Sequence, residues 1–131
     1  MKTAYPVIFT KLSDGYAAHV PDFPLDTQGN SIAEAIEMVR DAIGIIGIDM
    51  EDDQKDLPNP SDPKSVTCEI GEFVSMVDID FTEYRKANER RTVRRNVSLP
   101  SWLNTEAEKA GINVSAILQT ALKQELQIAD P

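Results

Sequence analysis

The sequence predicts an α+β protein in two modules: a small sheet packed on one main helix, then a strand followed by two helices. Three observations carry this expectation. Two short β-prone runs flank Ser13-Asp14-Gly15, a capped stretch from Ser31 repeats aliphatic residues at helical spacing, and Val93 to Leu99 alternate before two further helical patterns. A chain of 131 residues has room for one domain or two small ones.

The first module begins with "TAYPVIFTKL" and "YAAHVPDF", read as strands over residues 4–11 and 16–21. Asp14-Gly15 is the hairpin signal, because glycine takes the positive φ that tight turns need. Pro6, which has no N–H to donate, points to an edge or strand-start position. Ser31 and Glu34 have the spacing of a reciprocal capping box. Ile32, Ile36, Val39, Ile43 and Ile46 then fall at i, i+4, i+7, i+11 and i+14, which puts five aliphatics on one helix face. Gly44 and Gly47 are expected to weaken the end of this helix. "MEDDQKDLPNPSDP" reads as an exposed acidic loop. Phe73, Ser75, Val77, Ile79 and Phe81 alternate with Val74, Met76, Asp78 and Asp80, the pattern of a strand with one apolar face. A shorter strand around Val66–Ile70 is a further candidate, so the module is expected to be ββαβ or βββα-like.

Charge is divided unevenly along the chain. The whole has a net charge of −9 and a pI near 4.5. Residues 1–84 hold 17 acidic and 5 basic side chains, a net of −12, whereas residues 85–131 hold 5 acidic and 8 basic ones, a net of +3. Six of the basic residues, Arg85, Lys86, Arg90, Arg91, Arg94 and Arg95, lie within eleven positions. An acidic half repels nucleic acid and a basic segment attracts it, so the two modules are expected to have different partners. Apolar content of 41% and a mean hydropathy of −0.30 suit a soluble globular protein. No apolar run approaches a membrane span, and "MKTAYPVIFTKLSDG" has no signal-peptide core, so no membrane partner is expected and the location expected is cytoplasmic. The lone cysteine, Cys68, excludes an intramolecular disulfide, fits a reducing compartment and reads as a small packed residue.

Catalytic signals are sparse. His19 is the only histidine and has no nucleophile beside it in sequence. Asp78 and Asp80 share a strand face and could hold a divalent ion, although a solvated face is the plainer reading. No metal or other cofactor is expected, and no catalytic residue is assigned.

In the second module the strand Thr92–Leu99 is followed by Pro100-Ser101, a helix start. Leu103, Ala107 and Ala110 mark the first helix, and Gly111 its C-terminal stop. Asn113 caps the second, which carries Val114, Ile117, Leu118, Ala121, Leu122 and Leu126 on one stripe. Such a unit has too little core to stand alone. A two-fold dimer would cure this by pairing the strands antiparallel over four helices, with Val97, Leu99, Leu118 and Leu122 in the dimer core beside Val93. Arg94, Asn96 and Ser98 then face outward on a two-stranded ribbon that fits the DNA major groove, where their side chains can read base edges. Arg91, Arg95, Asn113, Val114 and Ser115 are the phosphate-contacting candidates, the last three at a helix N-terminus.

"RRNVSLPSWL" and "EKAGINVSAILQTALKQEL" resemble a ribbon-helix-helix DNA-binding domain. "VPDFPLDTQGNSIAEAIEMVRDAI", "LPNPS" and "VDIDFTEYR" resemble, in order, segments of the HicB antitoxin family, with "PLD" where many members carry Pro-Gly-Cys. The resemblance implies a partial ribonuclease-H-like fold for residues 1–80, which would bind and silence a HicA-type mRNA-cleaving toxin. It implies a linker over residues 81–90 and a dimeric ribbon-helix-helix domain over residues 91–131 that binds operator DNA and represses the toxin–antitoxin operon. Pairing of dimers is left open. The alternative is a stand-alone ribbon-helix-helix regulator whose N-terminal module senses a ligand or another protein. A metal-dependent nuclease and a C-terminal helix-turn-helix are the remaining readings.

Overall fold

A computed structural model describes residues 2–89 and 92–128. The chain divides into two compact units, Met1–Arg91 and Thr92–Pro131. The first contains β1 (Lys2–Leu12), β2 (Gly15–Val20), β3 (Leu25–Gly29), α1 (Ile32–Asp52), a 3-10 turn (Pro63–Ser65), β4 (Glu72–Asp80) and α2 (Phe81–Asn88). The second contains α3 (Ser101–Lys109) and α4 (Val114–Leu126). This is an α+β fold with one antiparallel sheet of four strands, in the order β3-β2-β1-β4.

The hairpin forms where the sequence places it, and Gly15 takes the expected positive φ, +154°. Leu12 pairs with Gly15, so Ser13 and Asp14 make the turn and Gly15 opens β2. A side chain at Gly15 would overlap the carbonyl of Gly29 in β3. The proline expectation needs refinement. β1 is an inner strand, but its pairing with β2 begins only at Ile8, whereas Pro6 pairs with Met76 of β4. Pro6 therefore sits where the strand is laddered on one side only, which spares its missing donor.

β3 was not anticipated. "LDTQG" has only one large apolar residue, Leu25, and reads as loop, yet it pairs with β2 from Val20↔Leu25 to Tyr16↔Gly29. Conversely, the segment Val66–Ile70 forms no strand. The module is βββαβ followed by α2.

Tyr5, Val7 and Phe9 of β1, Ala18 and Val20 of β2, Leu25 of β3, and Val77 and Ile79 of β4 bury one face of the sheet with Ala35, Val39 and Ile43 of α1. Ser31 caps α1 by accepting the Glu34 N–H at 3.1 Å. Glu34 takes the N–H of Asn30 rather than that of Ser31, at 3.3 Å. The inward stripe is Ala35, Val39, Ile43 and Gly47, a strict spacing of four. Ile32 and Ile36 lie on its margin, and Ile46, expected inside, is part-exposed.

The two glycines expected to weaken α1 are buried within it, and the helix runs on through Glu51 and Asp52 of the expected loop. Their role is to admit aromatic rings from α2. A Cβ at Gly44 would lie 2.6 Å from the Tyr84 ring, and one at Gly47 would overlap Phe81. Gly47→Ala should therefore destabilise the protein by about 1–3 kcal/mol through overpacking, despite roughly 1 kcal/mol of gained helix propensity. Urea unfolding measures the difference, and a more stable variant would show that the ring has room to move.

Residues 81–90, expected as a linker, are largely α2. Asp80 caps it, its Oδ1 accepting the N–H groups of Thr82 at 3.0 Å and Glu83 at 3.2 Å. The Glu83 N–H is the chief cause holding the Asp80 carboxyl below its usual range. Phe81 is 2% exposed in the main core. The Tyr84 hydroxyl donates to Asp41 at 2.7 Å, and burial followed by that carboxylate pushes the phenol up to about 12. The expected open loop is also held down. Tyr5 donates to the Pro58 carbonyl at 2.8 Å, Ser61 bonds Asp22 through both its N–H and hydroxyl, and Leu57 packs on the core.

Candidate nucleic-acid interface

In the second unit residues 92–100 carry no regular secondary structure and belong to no sheet. The strand expected over Thr92–Leu99 is thus not formed within one chain, because the chain supplies no second backbone to ladder against it. The helices lie where the sequence puts them. Pro100 precedes α3, and Gly111 (φ +65°) ends it. The N–H of Ile112 reaches Ala107 O at 3.1 Å and that of Gly111 reaches Glu108 O at 3.1 Å, a Schellman closure. Asn113 caps α4, accepting the Ala116 N–H at 3.1 Å.

None of the described residues in this unit is buried. Val93, Val97, Leu99, Trp102, Leu103, Ile112, Val114, Ile117, Leu122 and Leu126 are all exposed, Leu122 to 50%. Leu118 is half-buried. Residues 92–96 and Ser115, Leu118 and Gln119 of α4 line an open groove of about 500 Å³. That groove brings together Arg94, Asn96, Arg95 and Ser115. Ser98 is not among its lining residues, and Asn113 and Val114 stand at the α4 N-terminus beside it in sequence. Val93 also lines the groove with Arg94, so a single chain does not sort the segment into an apolar and a polar face. Arg91 lies outside the described residues. Trp102, 68% exposed, adds apolar surface that the sequence signals only by its place beside Leu103.

The clustered basic charge is smaller than the sequence suggests. Arg85 is held by Asp52 at 3.1 Å, Glu51 at 3.6 Å and Glu89 at 2.9 Å, and Lys86 by Glu83 at 3.0 Å. Both belong to the acidic unit. Among the described residues no ion pair engages Arg94 or Arg95.

The carboxylates considered for catalysis have structural partners. Asp78 meets Arg40 at 3.1 Å and Lys2 at 3.4 Å, and the Arg40 hydrogen bond followed by that of Lys2 holds its carboxyl below the usual range. Asp80 is the α2 cap. His19 pairs across strands with Asp26 at 2.8 Å. Among the described residues no helix is long and apolar enough to cross a membrane.

The described residues thus form a sheet-and-helix unit and a small two-helix unit that buries no side chain. The sequence matches the family described as the HicB-like antitoxin of bacterial toxin-antitoxin systems over residues 5–121, and the chain belongs to that family. It is 31% identical over 103 residues to the uncharacterized 14.9 kDa protein in the rep-hol intergenic region of Haemophilus phage HP1 (strain HP1c1), covering 76% of this chain and 74% of the relative. Its fold is similar to a chain of a toxin–antitoxin complex from Streptococcus pneumoniae, with TM-score 0.59 and 27% identity, covering 95% of this chain and 99% of that one. The Burkholderia pseudomallei antitoxin HicB gives TM-score 0.57 at 21% identity, covering 95% and 98%. A chain of the HicA3 and HicB3 toxin-antitoxin complex gives 0.51 at 22%, covering 60% and 99%.

Proposed function

We propose that the chain neutralises a HicA-type toxin through its acidic unit and represses its own operon through a ribbon-helix-helix dimer built by the other. The observation that carries the second half is the unit of residues 92–128, which exposes ten large apolar side chains and buries none. Antiparallel pairing of residues 92–99 with the same segment of a second copy supplies the missing ladder. It also turns Val97 and Leu99 onto a core shared with Leu118 and Leu122. Arg94, Asn96 and Ser98 then face the major groove, and Arg91, Arg95 and the α4 N-terminus at Asn113, Val114 and Ser115 meet phosphates.

The toxin-binding unit runs on past residue 80 to include α2, because Phe81 and Tyr84 pack against α1. Its sheet and helix are read as a partial ribonuclease-H-like scaffold that acts by binding, since Asp78 and Asp80 are engaged by side-chain and backbone partners. Support for the toxin as partner comes from the family and from the net negative charge of this unit, which suits a basic RNA-binding protein. A cytoplasmic location follows from that role.

Asn96→Ala should weaken operator binding by roughly 1–3 kcal/mol and leave binding to a scrambled duplex nearly unchanged. Titrations of both duplexes at one salt concentration check this, and equal losses would exclude base reading by Asn96. For the toxin half, the chain is recovered from its host and the bound protein identified. Purified antitoxin should stop that protein from cleaving RNA; recovery without a toxin would favour the stand-alone regulator.

A further inference from the structure

We propose that the outward ridge of α1, centred on Met38 and Ile45, is the surface on which the toxin docks; this rests on the antitoxin reading above. The inner stripe of α1 is taken by Ala35, Val39, Ile43 and Gly47. Met38 and Ile45 lie half a turn away, 43% and 56% exposed. Both are half-exposed apolar side chains that belong neither to the core cluster nor to the residues packed against it.

Helical spacing places Glu34, Asp41, Asp49 and Asp52 on the same outward strip; Asp41 accepts from Tyr84 and Asp52 pairs with Arg85, while Glu34 and Asp49 flank Met38 and Ile45 with no ion pair among the described residues. The strip thus alternates acid and aliphatic residues along the length of the helix. Its composition selects the occupant. α1 contains one basic residue, Arg40, and its guanidinium is turned to Asp78 on β4. Nucleic acid and anionic lipid are repelled by such a strip. A second copy would bring the same acids face to face, and like charges in an interface oppose pairing. The fitting partner is a basic protein that offers aliphatic side chains between its lysines and arginines. A protein that holds RNA carries that charge of necessity.

Other exposed apolar residues of this unit make a weaker surface. Phe73 shows the rim of a ring already stacked on Phe9 at 5.5 Å. Ile70 stands in a turn beside Gly71, and Met76 lies on the opposite face of the sheet, across from Pro6.

The test uses the full-length chain and the toxin recovered with it, each purified separately. A Met38→Arg/Ile45→Arg double variant should bind the toxin at least ~30-fold more weakly by calorimetric titration, since charge is placed at the centre of a partly apolar contact. Its thermal unfolding should match that of the parent, because both side chains point outward. Asp49→Lys should slow association and flatten its dependence on salt. Met76→Arg should leave toxin affinity unchanged. A folded double variant that binds as tightly as the parent overturns the proposal, as does loss of binding in Met76→Arg. If the double variant does not fold, an unaltered association rate in Asp49→Lys overturns it instead. If the parent protein neither binds nor inhibits the toxin, the antitoxin reading itself fails and takes this surface with it.

Discussion

Leu122→Asp is expected to convert the protein to monomers and abolish operator binding while the acidic unit melts as before. Leu122 is half-exposed in the single chain. A carboxylate there is solvated in the monomer and costs the isolated chain little. The cost falls on the proposed dimer, in which the same position is buried in a shared core. An unpaired charge moved into such a core costs several kcal/mol, and ~4 kcal/mol corresponds to about a 1,000-fold loss of association. In the proposed dimer the ribbon forms only as a pair, so the proposed DNA-reading face is lost with it. Sedimentation of the variant, with an operator titration alongside, decides the matter. A dimeric, DNA-binding Leu122→Asp protein would mean that α4 is not part of the dimer core.

Phe81→Ala should destabilise the acidic unit by about 3–5 kcal/mol, the range for deleting a buried phenyl group. The same substitution in a solvated linker would be almost silent, so this one variant separates the two descriptions of residues 81–90. Truncation follows the same logic. A fragment ending at residue 80 loses Phe81, Tyr84 and the Arg85 pairs with Glu51 and Asp52, and leaves Gly44 and Gly47 as notches in an exposed helix. It should unfold readily. A fragment ending after Glu89 keeps α2 and should still neutralise the toxin while losing operator binding. Denaturant unfolding and an RNA-cleavage assay on both fragments test this. Equal stability of the two would place α2 outside the cooperative unit, and a folded longer fragment that fails to inhibit would tie neutralisation to the full dimer.

Retaining Arg85 and Lys86 in the acidic unit changes the electrostatic division as well. The basic charge available to the proposed operator interface begins later in the chain than the six clustered residues suggest. The difference arises because a lysine or arginine is read from sequence as a charge, whereas its partners come from α1 and from one helical turn away. Glu51 and Asp52 lie more than thirty residues from Arg85 in the chain.

Local chemistry was enough to determine several elements. Ser31 and Asn113 announce helix starts because a side-chain oxygen must satisfy free backbone N–H groups close by. Gly111 announces a stop because the left-handed conformation at +65° suits a residue without a side chain. The alternation from Phe73 to Ile79 identifies β4 because a half-buried strand repeats every two residues, although Phe81, read as its last apolar residue, opens α2 instead. The order of motifs along the chain was enough for the family.

Tertiary structure alone decided what depends on distant partners. β3 has little apolar signal because only Leu25 supplies a large apolar side chain to the core and the rest of the strand is held by its ladder with β2. Gly44 and Gly47 read as helix weakeners until Tyr84 and Phe81 are seen to occupy the space they leave. Met38 and Ile45 lie off the apolar face that the helical spacing predicts, and the placement of α1 on the sheet leaves them half-exposed. Thr92–Leu99 carries the alternation of a strand in its sequence, but a strand exists only where a second backbone meets it, and one chain does not contain that backbone.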